Sequence, residues 1–155
     1  MKHISPSSPK ILAVASAGGH WHQLCQICTA FEAEDLFYVT TMQGLPEKSG
    51  FSDFAIVQDC NQHTPFKALL SSVQILSVLM RTRPDVIIST GALPGLIAVF
   101  LGYLMRRRTI WVDSLANAEE PSSSGRKAKR FVSLWLTQWE NVAQTVDGRY
   151  EGSLL

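Results

Sequence analysis

Lys10–His22, KILAVASAGGHWH, is the stretch that most narrows what this chain can fold into. The apolar run Ile11–Ala15 ends abruptly at Ser16 and the pair Gly18-Gly19. Leu24, Ile27 and Phe31 then recur at helical spacing. A short apolar run, a glycine stop and a 3.6-residue period read as a buried strand, a tight turn and a helix starting near His20. That is the first βα unit of an open α/β sheet. Its turn and helix N-terminus present backbone N–H groups carrying partial positive charge, where a phosphate or carboxylate can sit.

The rest of the chain repeats the alternation. Strands are expected at Leu36–Thr40, Phe54–Val57, Asp85–Ser89, Thr109–Val112 and Leu134–Thr137. Helices are expected at Phe66–Arg83, at Leu96–Met105 and from about Gly125. Phe66, Leu69, Leu70, Val73, Leu76, Leu79 and Met80 make one broad apolar face on the first of these, with packing on the sheet the default reading and contact with an anionic leaflet the alternative. Strands alternating with helices select a doubly wound parallel sheet with right-handed crossovers. Ligands bind such sheets outside the carboxyl ends of the strands. The turns expected there are Ser16–His20, Thr90–Gly95 and Asp113–Asn117, and they should face one crevice.

A chain of 155 residues suits one domain with a real core. Residues 1–9 read as a disordered leader, 10–148 as the folded domain and 149–155 as a tail. Charged residues are only 17% of the chain, which hints at surface kept for a partner or a bilayer. The net charge of +1 argues against a nucleic acid partner, although Arg106–Arg108 and Arg126–Arg130 are basic clusters. Three cysteines and a polar N-terminus without an apolar core lead to the expectation of a reducing, cytoplasmic setting. Cys25-x-x-Cys28 lacks a second ligand pair and falls within a helix, so it reads as packing rather than a zinc or redox site. Ala92–Met105 is too short to span a bilayer and contains Pro94. No metal and no cofactor are called for.

Several residues have the chemistry for a site. The A-G-G-H loop lacks both the dinucleotide fingerprint and the lysine of a P-loop, so its capacity is for an anion close to backbone. His20 can hydrogen-bond a phosphate, act as a general base or simply bond local backbone. Thr90-Gly91 offers a hydroxyl and open backbone. Asp113 and Ser114 stand at a strand end, where a carboxylate is either catalytic or fixes a loop. The apolar Leu96–Met105 helix with its Arg106–Arg108 end can lie against an anionic leaflet or be an ordinary helix with a basic terminus.

SAGGH after the first strand, PDVIISTGALPG in the middle, and WVDSLANAEEPSSSGRKAKRF with TQWEN near the end together resemble one family. It is the membrane-associated, acceptor-side subunit of two-component glycosyltransferases, found in dolichol-linked oligosaccharide synthesis and in bacterial exopolysaccharide and capsule synthesis. The resemblance runs from about Lys10 to Glu140. It implies a Rossmann-like sheet equivalent to the N-terminal half of a GT-B glycosyltransferase, with a catalytic partner subunit binding the nucleotide-sugar. The implied reaction transfers a sugar, from a UDP-sugar, to a polyprenyl-diphosphate-linked saccharide at the cytoplasmic face of the membrane. Ser16, Gly18, Gly19, His20, Thr90, Gly91 and Ser114 would then contact substrate, and His20 and Asp113 are the catalytic candidates. The tail Tyr150–Leu155 would dock on the partner. Two positions depart from the family: Asp113 stands where a glutamate is usual, and Asn117 where an arginine is usual. The alternative is a stand-alone α/β enzyme that binds a nucleotide or phosphate.

Overall fold

The computed structural model describes residues 8–154, and in it the apolar run Ile11–Ala15 becomes β1 at the centre of a parallel sheet. β2 (Leu36–Thr40) and β3 (Phe54–Ile56) flank it on one side. β4 (Val86–Gly91), β5 (Arg108–Val112), β6 (Leu134–Thr137) and β7 (Arg149–Tyr150) continue on the other. Among the described residues the sheet has seven strands in the order β3-β2-β1-β4-β5-β6-β7, and every pairing is parallel. Ile11 lies opposite Leu36 on one neighbour and Val86 on the other. The chain moves outward from β1 to β3 and then crosses back to β4, so the direction of winding reverses between β1 and β4. Right-handed crossovers therefore put helices on both faces.

One face is covered by α1 (Gly19–Cys28) and the short α2 (Leu45–Lys48). Ile11, Ala13 and Ala15 of β1 point to it and meet Trp21, Leu24 and Cys28. The other face carries α3 (Pro65–Thr82), α4 (Ala92–Leu104), α5 (Ser123–Ala128) and α6 (Glu140–Val146). Leu12 and Val14 point that way, against Ile75, Leu79 and Val99. The alternation along β1 is the period-2 rule with both faces buried, which is why the strand reads as an unbroken apolar run.

The doubly wound architecture stands as expected, and several boundaries move. α4 starts at Ala92 rather than Leu96, because Pro94 falls in its first turn, where a missing N–H breaks no helical bond. Thr90 and Gly91 consequently end β4 instead of forming a loop. α1 stops at Cys28, and the next residues close tight turns through Ala30 N–H to Ile27 O and Phe31 N–H to Cys28 O. α2, α6 and β7 were not foreseen, being too short to show a period. Of the tail 149–155, residues 149–150 pair with β6, and residue 155 lies outside the described residues. So do residues 1–7 of the expected leader.

The largest correction concerns α3. Its sheet-facing stripe is Ser71, Ile75, Val78 and Leu79. Phe66, Leu69, Leu70, Val73, Leu76 and Met80 face outward, with Phe66 87% and Leu69 64% exposed. Only Leu79 of the expected apolar face is buried. α4 behaves alike: Gly95, Ala98, Val99 and Gly102 lie on the sheet, and Phe100, Tyr103 and Leu104 are exposed. A Cβ at Gly95 would overlap Ser89 Oγ, and one at Gly102 would overlap Ile87, so small residues let this helix sit close to the strands.

Candidate functional site

The switch point between β1 and β4 gathers most of the residues singled out from the sequence. Ser16 and Gly18 follow β1, and Gly19 and His20 open α1. Gly18 holds φ +81°, a left-handed conformation that favours glycine, and open space surrounds the position its Cβ would take. No side chain caps α1, so the N–H groups at the start of the helix have no side-chain acceptor. The local geometry is that of an anion site at a helix N-terminus.

His20 is held from across the crevice. Its Nδ1 lies 3.0 Å from the carbonyl oxygen of Thr90, and Thr90 Oγ1 donates to the carbonyl of His20 at 2.6 Å. A carbonyl only accepts, so neutral His20 carries its proton on Nδ1 and leaves Nε2 as an acceptor. Gly91 lies directly beneath the ring at φ +145°, and a Cβ there would overlap the imidazole. Thr90 and Gly91 therefore set the orientation and tautomer of His20. The next residue, Ala92, is itself left-handed at φ 64°.

Asp113 and Ser114 lie two strands from β1, after β5. Asp113 is buried, and its carboxylate accepts from Trp111 Nε1 at 3.0 Å, Ser122 N–H at 2.8 Å and Ser122 Oγ at 2.5 Å. Ser122 in turn caps α5 by accepting from Gly125 N–H at 2.8 Å. These bonds tie both ends of the loop 114–122 together, and among the described residues no hydrogen bond joins Asp113 to His20. Gln23 and Gln138, which no sequence pattern marked, complete the crevice wall. Gln23 Oε1 accepts from Leu115 N–H at 3.1 Å and from Gln138 Nε2 at 2.7 Å, and Gln23 Nε2 donates to Ser114 Oγ at 3.3 Å. Gln138 Oε1 accepts from Leu154 N–H at 3.1 Å, which lays the tail along the carboxyl end of β6. An isolated glutamine has no periodicity to betray it, so only tertiary proximity reveals this network.

Beside the crevice, α3, α4 and α5 lie next to one another. Segments 60–84, 86–112 and 121–139, which supply these helices, contain no Asp or Glu, yet hold ten of the chain's 14 Lys and Arg residues. The net charge of +1 conceals this asymmetry, and a count by segment exposes it. The one ion pair among the described residues, Arg126 to Glu120 at 3.0 Å, reaches back to the 114–122 loop. Burying a large apolar side chain is worth about 1.5–3 kcal/mol, so the outward residues of α3 forgo on the order of 10 kcal/mol in water. An apolar patch of this kind marks a surface that meets something.

Other chemistry is quiet. Cys25, Cys28 and Cys60 are free thiols. Burial pushes Cys28 up to about 12, so it is a packed, unreactive group. Among the described residues no three His, Cys, Asp or Glu side chains converge to hold a metal. No described helix is long and apolar enough to cross a membrane.

The chain is 32% identical over 80 residues to the UDP-N-acetylglucosamine transferase subunit ALG14 of Eremothecium gossypii, a match covering 48% of this chain and 36% of that protein. It thus spans about a third of that relative's length. No protein-family profile matches. Among solved structures it resembles MurG of Acinetobacter baumannii, with a TM-score of 0.71 and 11% identity over 86% of this chain and 43% of that one. S. aureus MnaA with UDP gives 0.69 and 14% over 92% and 42%. The UDP-GlcNAc 2-epimerase of Neisseria meningitidis, bound to UDP-GlcNAc, gives 0.67 and 10% over 85% and 40%. At these identities the structural likenesses show a shared fold.

Proposed function

We propose that this chain is the acceptor half of a split glycosyltransferase that works at an anionic membrane surface. A partner subunit supplies the nucleotide-sugar site, and the acceptor is a polyprenyl-diphosphate-linked saccharide. The observation that carries the reading is the adjacency of two features: a crevice with an oriented histidine at the switch point, and an acid-free apolar helix face beside it. Support for the partner comes from the likeness to a protein named as a transferase subunit and from solved chains more than twice as long as the part matched here.

In this reading the α3–α4 face enters the headgroup region, where each Lys or Arg near the surface adds about 1 kcal/mol of attraction. The acceptor hydroxyl reaches the crevice, and its oxygen bonds to the anomeric carbon of the donor sugar as the bond to the departing nucleotide diphosphate breaks. His20 Nε2, the free acceptor on that ring, takes the hydroxyl proton. Ser16, Gly18 and Gly19 bind substrate through the open turn. Thr90 and Gly91 hold His20, and Asp113 and Ser114 act by holding the 114–122 loop.

The test is transfer from radiolabelled UDP-sugars to a lipid extract, with the chain alone and with its candidate partner. Activity only with both, reduced by about 10²–10⁴ in His20→Ala, is the expected result. Transfer by the chain alone would favour a self-sufficient α/β enzyme instead.

A further inference from the structure

A sizeable concavity lies outside the crevice. It is a groove of about 550 Å³ between α4 and α5, walled by Leu93, Leu96, Ile97, Phe100 and Phe131, with Arg126, Lys127 and Arg130 along its α5 side. Leu93, Leu96/Ile97 and Phe100 take successive turns of α4 and line about 10 Å of its length. Phe131 closes the far end, edge-on to Phe100 with ring centres 4.9 Å apart. At the near end the groove runs into a second pocket of about 390 Å³, to which Leu93, Leu96 and Lys127 are common. Its lining is also mainly apolar, with His63, Ser123 and Ser124 joining Lys127 as the polar groups on its wall. Its wall includes Ala92, the residue after the Gly91 on which His20 rests. Among the described residues Lys127 and Arg130 have no carboxylate partner.

An apolar groove edged by the unpaired Lys127 and Arg130, with the hydroxyls of Ser123 and Ser124 toward one end, has the chemistry of an amphiphile site: chain along the apolar wall, anion beside the cations and hydroxyls. We propose that the α4–α5 groove seats the apolar chain of one acceptor lipid molecule and that the adjoining pocket seats its phosphate. The attached saccharide then points past Ala92 into the crevice. This rests on the acceptor-half reading, and it separates two roles: the α3 face meets the bulk membrane, and the α4–α5 groove selects one lipid from it. Both lie on the same helix layer, with α4 standing between α3 and α5.

The probe is farnesyl diphosphate, kept below its micelle concentration, with inorganic diphosphate and farnesol as the separated halves. Calorimetry on the full chain should find the intact amphiphile bound at least tenfold more tightly than either half. Ile97→Trp, which fills the groove, should weaken the amphiphile at least tenfold and leave inorganic diphosphate unchanged. Lys127→Glu, on the exposed side of α5, should weaken both. Leu69→Ser on α3 should change neither. Farnesyl diphosphate held no better than inorganic diphosphate, or indifferent to Ile97→Trp and Lys127→Glu, would overturn the proposal. The transfer assay separates this inference from its premise. An unchanged KM for the lipid in both groove variants, alongside loss of transfer in His20→Ala, would remove the groove and keep the acceptor half. Groove-dependent binding without any transfer beside the partner would keep the groove and remove the transferase.

Discussion

The two faces of the sheet treat their helices in opposite ways. α1 turns its bulk inward: Trp21 packs edge-on to Tyr38 and Phe51, with ring centres 5.8 and 5.9 Å away, and Leu24 is completely buried. α3 and α4 turn small or few residues inward and leave their bulk outside. Ser71 and Ile75 face the strands where Phe66, Leu70 and Val73 do not. Amphipathicity thus tells that a helix has an apolar side, and not which side meets the protein's own core. Where a helix has two apolar stripes, the narrower one suffices for the sheet and the wider one is left for a partner or a bilayer.

The comparison predicts unequal responses to similar substitutions. Trp21→Ala should lose about 3–5 kcal/mol of stability by denaturant unfolding. Phe66→Ser should change it by no more than about 0.5 kcal/mol, as an exposed substitution does. A large loss at Phe66 would mean that α3 packs inward after all. The converse experiment is sedimentation with anionic vesicles. Combining Phe66→Ser, Leu70→Ser and Val73→Ser should weaken binding about tenfold or more per residue, since each loses 1.5–3 kcal/mol of burial at about 1.4 kcal/mol per decade. Raising salt should weaken it further through the cations.

Gly95→Ala sharpens the contrast from inside. Its Cβ must displace Ser89 Oγ or lift α4, and overpacking of that kind loses about 1–3 kcal/mol. Asp113→Ala should lose a similar 1–3 kcal/mol, because Trp111 Nε1 and Ser122 N–H are left without an acceptor. Proteolysis within 114–122 should accelerate in that variant and not in Gly95→Ala.

A further effect is one of pH on the α1 face. Burial raises Cys28 from its ordinary value near 9 to about 12, partly offset by a hydrogen bond with Tyr38. The unfolded chain ionises this thiol first, so folded stability is intact below about pH 9 and declines as pH rises toward 12. Urea midpoints measured upward from pH 8 should fall in that window, and less steeply in Cys28→Ala.

Much of the crevice was legible in the sequence because its parts are backbone devices. Gly18-Gly19 after an apolar run, and Thr90-Gly91 after another, announce strand-end turns whatever surrounds them. The roles within it were not legible. Thr90 is bound to His20 across 70 residues of chain, and Asp113 engages Ser122 rather than the crevice histidine. A motif names the residue type at a strand end, and the neighbour it bonds is chosen by sheet order.

The sequence by itself determined the alternation of strands and helices, the winding of the sheet and the glycine turn at its centre, since these follow from local period and backbone freedom. Tertiary structure alone decided which stripe of α3 faces water, which glutamines wall the crevice and where α4 and α5 leave a groove. Those outcomes depend on how closely helices approach the sheet. Gly95 and Gly102 set that distance for α4 by meeting Ser89 and Ile87, residues that only the fold brings beside them.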